Sequence, residues 1–199
     1  MSGADLLVCA PLRLEARALR AGFGPRVRRT GCGPRRSAEW ATAHAADDFD
    51  ALLIAGLAGG TARWVHPGDV VVADEIRGPR GTTTCSRAPA LAEALRWSGL
   101  RVHLGPVRSA ARLAVGARRT ALAREGVLAA DLESAWLAEA AGDRPVAAVR
   151  VVVDAVRRPL PSPGTPVRAL RALSRLRELA PGLHAWRLQL NVQSNEEVS

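Results

Sequence analysis

The chain has no lysine and no tyrosine, and only two phenylalanines, one methionine and three cysteines among its 199 residues. Without lysine there is no phosphate-loop lysine, no Schiff-base lysine and no serine–lysine dyad, which excludes P-loop NTPases and enzymes that carry pyridoxal phosphate on a lysine. Cys9, Cys32 and Cys85 are odd in number, widely spaced and free of any C-x-x-C, so neither a disulfide framework nor a four-ligand zinc site is expected, and a reducing cytoplasm fits best. No apolar run approaches the roughly 18 residues of a membrane span. The opening Met-Ser-Gly-Ala-Asp lacks the positive stretch of a signal peptide, so export by that route is not expected. The motifs G-x-S-x-G, H-E-x-x-H, the EF-hand loop and G-x-G-x-x-G are all missing, and Gly31-Cys32-Gly33 is only a fragment of the last. His44, His66, His103 and His184 lie far apart without metal-ligand spacing and read as structural.

What is present describes one folded domain. Apolar residues make up 48% of the chain and charged residues 24%, while 18 glycines and 13 prolines are too scattered for a low-complexity or collagen-like polymer. The net charge of +9 rests on 28 basic residues, all arginine. An alanine- and arginine-rich, lysine-free composition is what a GC-biased genome produces without selection for any partner. The pairs Arg28/Arg29, Arg35/Arg36, Arg118/Arg119 and Arg157/Arg158 are dispersed and stacking rings are few, so no nucleic-acid partner is expected. A basic nucleic-acid-binding module remains the rival reading from a different class.

Short apolar runs bounded by glycine or proline alternate with helical patterns, the mark of an α/β domain. Strands are expected at 6–10, 51–55, 69–76, 102–107 and 145–154, and helices at 12–21, 35–46, 88–97, 131–141 and about 167–179. The run Ala51 to Ala55 is too continuous for a half-exposed strand and leads into a glycine-rich turn, Gly56-Leu57-Ala58-Gly59-Gly60. The last helix combines an apolar stripe (Val167, Leu170, Leu173, Leu176, Leu179) with Arg168, Arg171, Arg175 and Arg177. Residues 191–199 form a polar tail, expected to be disordered.

In a doubly wound sheet, ligands bind beyond the carboxyl ends of strands. Three carboxylates fall at such places: Glu15 just after the first strand, Glu133 after a later one, and Asp154 closing an apolar strand. Taken singly, Glu15 and Glu133 also suit a first-turn helix acid, and Asp154 an N-cap. Asp154 after Val151-Val152-Val153 is the hardest to dismiss.

Four segments in this order resemble the purine nucleoside phosphorylase and methylthioadenosine/adenosylhomocysteine nucleosidase superfamily. They are Leu12 to Ala16 (LRLEA), Gly56 to Ile76 (GLAGG…VHPGDVVVADEI), Asp131-Leu132-Glu133-Ser134, and Arg150 to Asp154 (RVVVD), and the resemblance covers roughly residues 5 to 158. The short chain, the LEAR and DLES runs and the continuation after Asp154 are most similar to the hopanoid-associated branch, adenosylhopane nucleosidase. One position departs: the family usually has serine before the catalytic aspartate, and here it is Val153.

The resemblance implies a single-domain, three-layer α/β/α fold around a central mixed sheet over 1–190, and cleavage of the N-glycosidic bond of a purine nucleoside. By the same token Asp154 is the acid that protonates the leaving purine at N7. Glu15 is the base that orients water, and Arg150 positions that carboxylate. Glu133 holds the ribose hydroxyls, and Leu132, Leu57, Ala58 and Gly59 line the pocket. No metal and no organic cofactor is implied. The expected substrate is an adenine nucleoside, adenosylhopane in the hopanoid branch, with a methylthioadenosine/adenosylhomocysteine or futalosine-type nucleosidase as alternatives. Water rather than phosphate is the expected second substrate, because the G-D-P-x-R-type loop of phosphorolytic members is missing, although Arg13, Arg35 or Arg63 offer a phosphate site. A catalytically silent homologue is a further alternative. Homo-oligomerisation and a cytoplasmic location at an anionic inner-membrane surface complete the expectations.

Overall fold

The ALLIA run lies at the centre of the sheet in the computed structural model, which describes residues 5–156 and 163–196, with side chains at all of these except 25 and 191–196. In chain order the elements begin with β1 (Leu6–Ala10), α1 (Arg13–Phe23), β2 (Val27–Arg29), α2 (Pro34–His44) and β3 (Ala51–Gly60). There follow β4 (Val70–Val72), β5 (Glu75–Arg77), β6 (Thr82–Thr84), α3 (Ala88–Trp97), β7 (Val102–Leu104) and β8 (Val107–Ser109). The chain continues with α4 (Gly116–Arg124), β9 (Ala129–Asp131), α5 (Ser134–Ala138), β10 (Val146–Asp154), α6 (Thr165–Glu178) and α7 (Ala180–Glu196).

β3 organises the rest. It runs parallel to β1 from Ala51 to Ile54 and parallel to β10 from Leu52 to Gly59, and its last two residues pair antiparallel with β9. Strand order along the sheet is β6-β5-β8-β9-β3-β10-β4-β7, and off this path β1 pairs with β3 and β2 with β1. Parallel and antiparallel pairs coexist, so the sheet is mixed, and helices flank it: α1 packs on α6, α6 on β10, α2 on α5, and α3 on α7. This is the single-domain α/β architecture expected from the sequence. Leu52, Leu53, Ile54 and Ala55 are completely enclosed, as a strand covered on both faces must be.

Four expectations are corrected. The glycine-rich 56–60 is not a turn but the second half of β3, because β10 and β9 supply hydrogen-bonding partners that keep it extended. The strand expected over 69–76 is two strands separated by Ala73 and Asp74, and that over 102–107 breaks at Gly105-Pro106. β4 pairs with β7 and β5 with β8, so both segments leave one part of the sheet together and join another. The helix expected from Asp131 starts only at Ser134, since Asp131 itself belongs to β9 and its carboxylate takes the Glu133 and Ser134 N–H groups at 3.2 Å.

At the C-terminal end, α6 matches the amphipathic reading over Thr165–Glu178, although its stripe divides: Leu176 and Leu179 are buried while Val167 and Leu170 are exposed. The backbone of α7 continues through 191–196, where a disordered tail was expected; 197–199, like Arg157 and Arg158, lie outside the described residues. Trp186 of α7 is among the largest fully buried side chains, and His184 Nε2 meets the Gly22 carbonyl at 2.9 Å, which fixes α7 to α1. Replacing Trp186 by Ala is therefore expected to cost about 3–5 kcal/mol of unfolding free energy, measured by urea denaturation; a loss below about 1 kcal/mol means α7 is an appendage rather than part of the core.

Candidate active site

Glu15, Glu133 and Asp154 converge on one cavity of about 210 Å³ whose wall also includes Leu12, Cys32, Leu57, Ala58, Gly59, Leu113, Asp131, Leu132 and Val153. It opens beyond the carboxyl ends of β1, β9 and β10. All three expected carboxylates and the four expected lining residues thus come together. Arg150 is fully buried behind this wall rather than on it.

Each acid is held by its own chain geometry. Glu15 sits on the first turn of α1, where its Oε2 accepts the Leu12 N–H at 2.7 Å and its Oε1 reaches across to the Leu57 N–H at 2.8 Å. The macrodipole and two backbone donors favour the charge, while near-total burial opposes it. Burial wins: it pushes the Glu15 carboxyl above the usual carboxylate range, against the Leu57 and Leu12 donors and the Arg150 charge, with the Glu133 charge adding to the rise.

Glu133 precedes α5 and reaches back to the glycine turn that the sequence offered as a dinucleotide-motif fragment. Its Oε1 accepts the Gly33 N–H at 2.9 Å and the Cys32 thiol at 3.4 Å, and its Oε2 the Leu132 N–H at 3.2 Å. Gly33 has φ +89° at the entry to α2, a conformation that costs a residue with a side chain but not glycine. The Gly31-Cys32-Gly33 turn therefore serves as a clamp on Glu133. Burial, and then the Glu133 charge, push the Cys32 thiol up to about 11.

Asp154 owes its position to a register shift. β10 pairs with β3 residue by residue until Val152 faces Ala58, and then Asp154 faces Gly59, leaving Val153 as the extra residue of a bulge. Pleating would turn Val153 and Asp154 to opposite faces, whereas here both line the cavity. The carboxylate is ion-paired with Arg119 of α4, a residue the sequence reading did not single out.

Behind the cavity lies a buried polar network. Arg150 Nε contacts Asp131 Oδ2 at 2.7 Å and Arg150 Nη2 donates to Ser134 Oγ at 2.6 Å, while Asp131 also accepts from Ser109 Oγ at 2.5 Å and from Ser134 Oγ. Among the described residues Arg150 Nη1 has no hydrogen-bond partner. It lies beside Glu15: a Cβ placed on Gly56 would come 2.7 Å from this nitrogen and 3.0 Å from Glu15 Oε1. Gly56 is bare so that an arginine and a glutamate from two other elements can meet across it. Asp131 and Ser134 stand in the DLES segment but were not named as site residues. Arg119 has no signal beyond one of several arginine pairs.

None of the four histidines lines the cavity. His103 Nε2 pairs with Asp69 at 2.8 Å, His44 and His184 stack on Trp40 and Phe23, and the His66 N–H is held by Asp69. Among the described residues no group of three or more potential ligands is arranged to hold a metal ion, and no helix is long and apolar enough to cross a membrane.

No family model matches the chain and no curated protein matches its sequence. Solved structures do match its fold. An S-adenosylhomocysteine nucleosidase from Streptococcus pyogenes, in complex with 5-methylthiotubericidin, superposes with a TM-score of 0.76 at 17% identity, covering 96% of this chain and 98% of that one. A Helicobacter pylori nucleosidase mutant with 5′-methylthioadenosine in its active site gives 0.75 at 13% identity, covering 93% and 98%. The Streptococcus pneumoniae 5′-methylthioadenosine/S-adenosylhomocysteine nucleosidase with a transition-state inhibitor gives 0.73 at 19%, covering 93% and 99%. The chain has the fold of these nucleosidases over nearly its whole length.

Because the fold raises the Glu15 pKa, it favours the protonated form, so this group's contribution to stability is fully present below its ordinary value of 4.5 and is lost as pH rises through the raised one. The stability difference between wild type and Glu15→Gln is accordingly expected to move against the wild type between pH 4 and pH 7, as measured by chemical denaturation. A difference that moves toward the wild type over that range means hydrogen bonding, not burial, dominates.

Proposed function

We propose that the chain is a purine nucleosidase that hydrolyses the N-glycosidic bond of an adenine nucleoside. The observation that carries this reading is the convergence of Glu15, Glu133 and Asp154 on one cavity in a chain with the nucleosidase fold.

Hydrolysis at C1′ passes through a positively charged, oxocarbenium-like sugar, and the departing purine needs a proton. With Asp154 carrying the proton it delivers, the surroundings of the cavity set three carboxylates, Glu15, Asp131 and Glu133, against two guanidinium groups, Arg119 and Arg150, an excess of negative charge that favours the sugar cation. Glu15, a stronger base for being buried, orients water and takes its proton. Arg150 keeps one unpaired nitrogen beside it. Glu133, fixed by Gly33, Cys32 and Leu132, accepts the ribose hydroxyls. Asp154 meets the base and delivers the proton to N7.

Water is favoured over phosphate as the attacking group because, among the described residues, no arginine lines the cavity; Arg13 and Arg63 are exposed, and Arg35 is ion-paired with Glu39 on the surface. The 5′ end of the substrate is apolar in this reading. Leu12 and Leu113 belong to the cavity wall yet are 40% and 61% exposed, and Leu14 and Val115, each two residues further on, are exposed too. Such a rim suits a nucleoside with a bulky apolar 5′-substituent such as adenosylhopane, presented at an anionic membrane surface to which α6 offers exposed Val167, Leu170 and Arg171.

Incubation of the purified protein with adenine nucleosides, analysed by product mass with and without phosphate, tests this. Expected are free adenine and an unphosphorylated sugar in both cases. Asp154→Asn is expected to lose on the order of 10²-fold or more in kcat. An apolar 5′-substituent in vesicles is expected to outperform a 5′-methylthio group. No adenine release, or a sugar phosphate as product, contradicts the reading, and preference for the smaller soluble substrate contradicts its lipid-linked part.

A further inference from the structure

Arg119 is a buried guanidinium whose interactions a purely structural role does not explain. Its side chain is 7% exposed, its Nε donates to the Ala114 carbonyl at 2.9 Å, its Nη2 is paired with Asp154, and its Nη1 has no hydrogen-bond partner among the described residues. Enclosing a guanidinium is costly unless its donors are used, and a buried donor left unused is uncommon. The helix that carries it joins the molecule through a small cluster of Ala114, Leu122 and Val127, separate from the main core. Position 59 is bare where the pair meets: a Cβ there would lie 3.0 Å from both Arg119 Nη2 and Asp154 Oδ1. Val153, which shares the cavity wall with Asp154, offers no polar atom to its side. Among the described residues, Arg119 alone is within hydrogen-bonding reach of the Asp154 carboxylate.

We propose that Arg119 is a positioning residue for Asp154, which aims its carboxyl group into the cavity and neutralises the carboxylate left when its proton passes to the departing base. This rests on the nucleosidase reading. As the C1′–N9 bond breaks, its electron pair goes to the purine and N7 takes the proton from Asp154. The attacking water adds its oxygen to C1′ and gives its proton to Glu15. Arg119 itself gives up no proton, because a guanidinium does not deprotonate in a protein. Asp154 is reloaded with a proton from solvent, which balances the one Glu15 later releases. Arg119 thus acts only on leaving groups that need that proton. A purine methylated at N7 already carries the positive charge and departs as a neutral molecule without it.

The test compares a purine nucleoside with its N7-methylated counterpart on the wild type, Arg119→Met and Arg119→Lys. On the unmethylated substrate Arg119→Met is expected to lower kcat roughly 10- to 100-fold with KM changed less than about threefold, while kcat on the methylated one changes less than about threefold. Arg119→Lys is expected to recover much of that loss. The ratio of the two activities in one preparation does not depend on the fraction of variant that folds. Equal losses on both substrates make Arg119 a structural prop and overturn the proposal, as does no loss on either. A wild type inactive on both overturns the nucleosidase reading and Arg119's role with it, an outcome distinct from an active wild type that is indifferent to Arg119.

Discussion

Carboxylates drawn into an apolar sheet need partners, and the arrangement of this molecule follows from how four of them are satisfied at one place. Arg150, fully buried on β10, holds Asp131 and Ser134 on one side and approaches Glu15 on the other. Removing one member of such a set leaves an uncompensated charge in low dielectric, typically at a cost of about 3–5 kcal/mol. The network ties β9, α5, β10 and α1 together at the rim of the cavity. Stability of the rim and geometry of the cavity therefore depend on the same side chains.

The backbone makes room for these charges. Gly56 and Gly59 face opposite ends of the polar cluster, the first admitting Arg150 and Glu15 and the second Arg119 and Asp154, and neither has a positive φ. Their use is space rather than conformational freedom. The bulge at Val153 completes the arrangement, since without it Asp154 would point away from the cavity that Val153 lines. An unbroken β3 supplies the straight edge against which this register shift is defined.

Much of this is legible in the sequence, for identifiable reasons. The ALLIA strand and the strand closing on Asp154 are apolar runs that only a doubly covered sheet accommodates, and Glu15, Glu133 and Asp154 follow strands. The glycine-rich 56–60 misleads because glycine signals a turn locally, while its extended form here depends on partners from β9 and β10, remote in sequence. Asp131 reads as a helix start because its short carboxylate caps the next turn, and only strand pairing with Ser109 reveals it as the end of β9. Arg119 is invisible for the same kind of reason. It meets Asp154 across 35 residues through a helix whose position no local pattern specifies. α7, with apolar residues spread around it rather than along one face, gives no clean helical stripe to read.

The central claim is that one nucleoside is held by three carboxylates at the carboxyl ends of the strands. A crystal structure of the protein with a hydrolysis-resistant adenosine analogue measures this directly. The predicted result places the ribose hydroxyls on Glu133, the N7 edge of the base on Asp154 and a water between Glu15 and C1′. An analogue bound outside this cavity, or bound in it with the base against Glu133 and the sugar against Asp154, contradicts the claim.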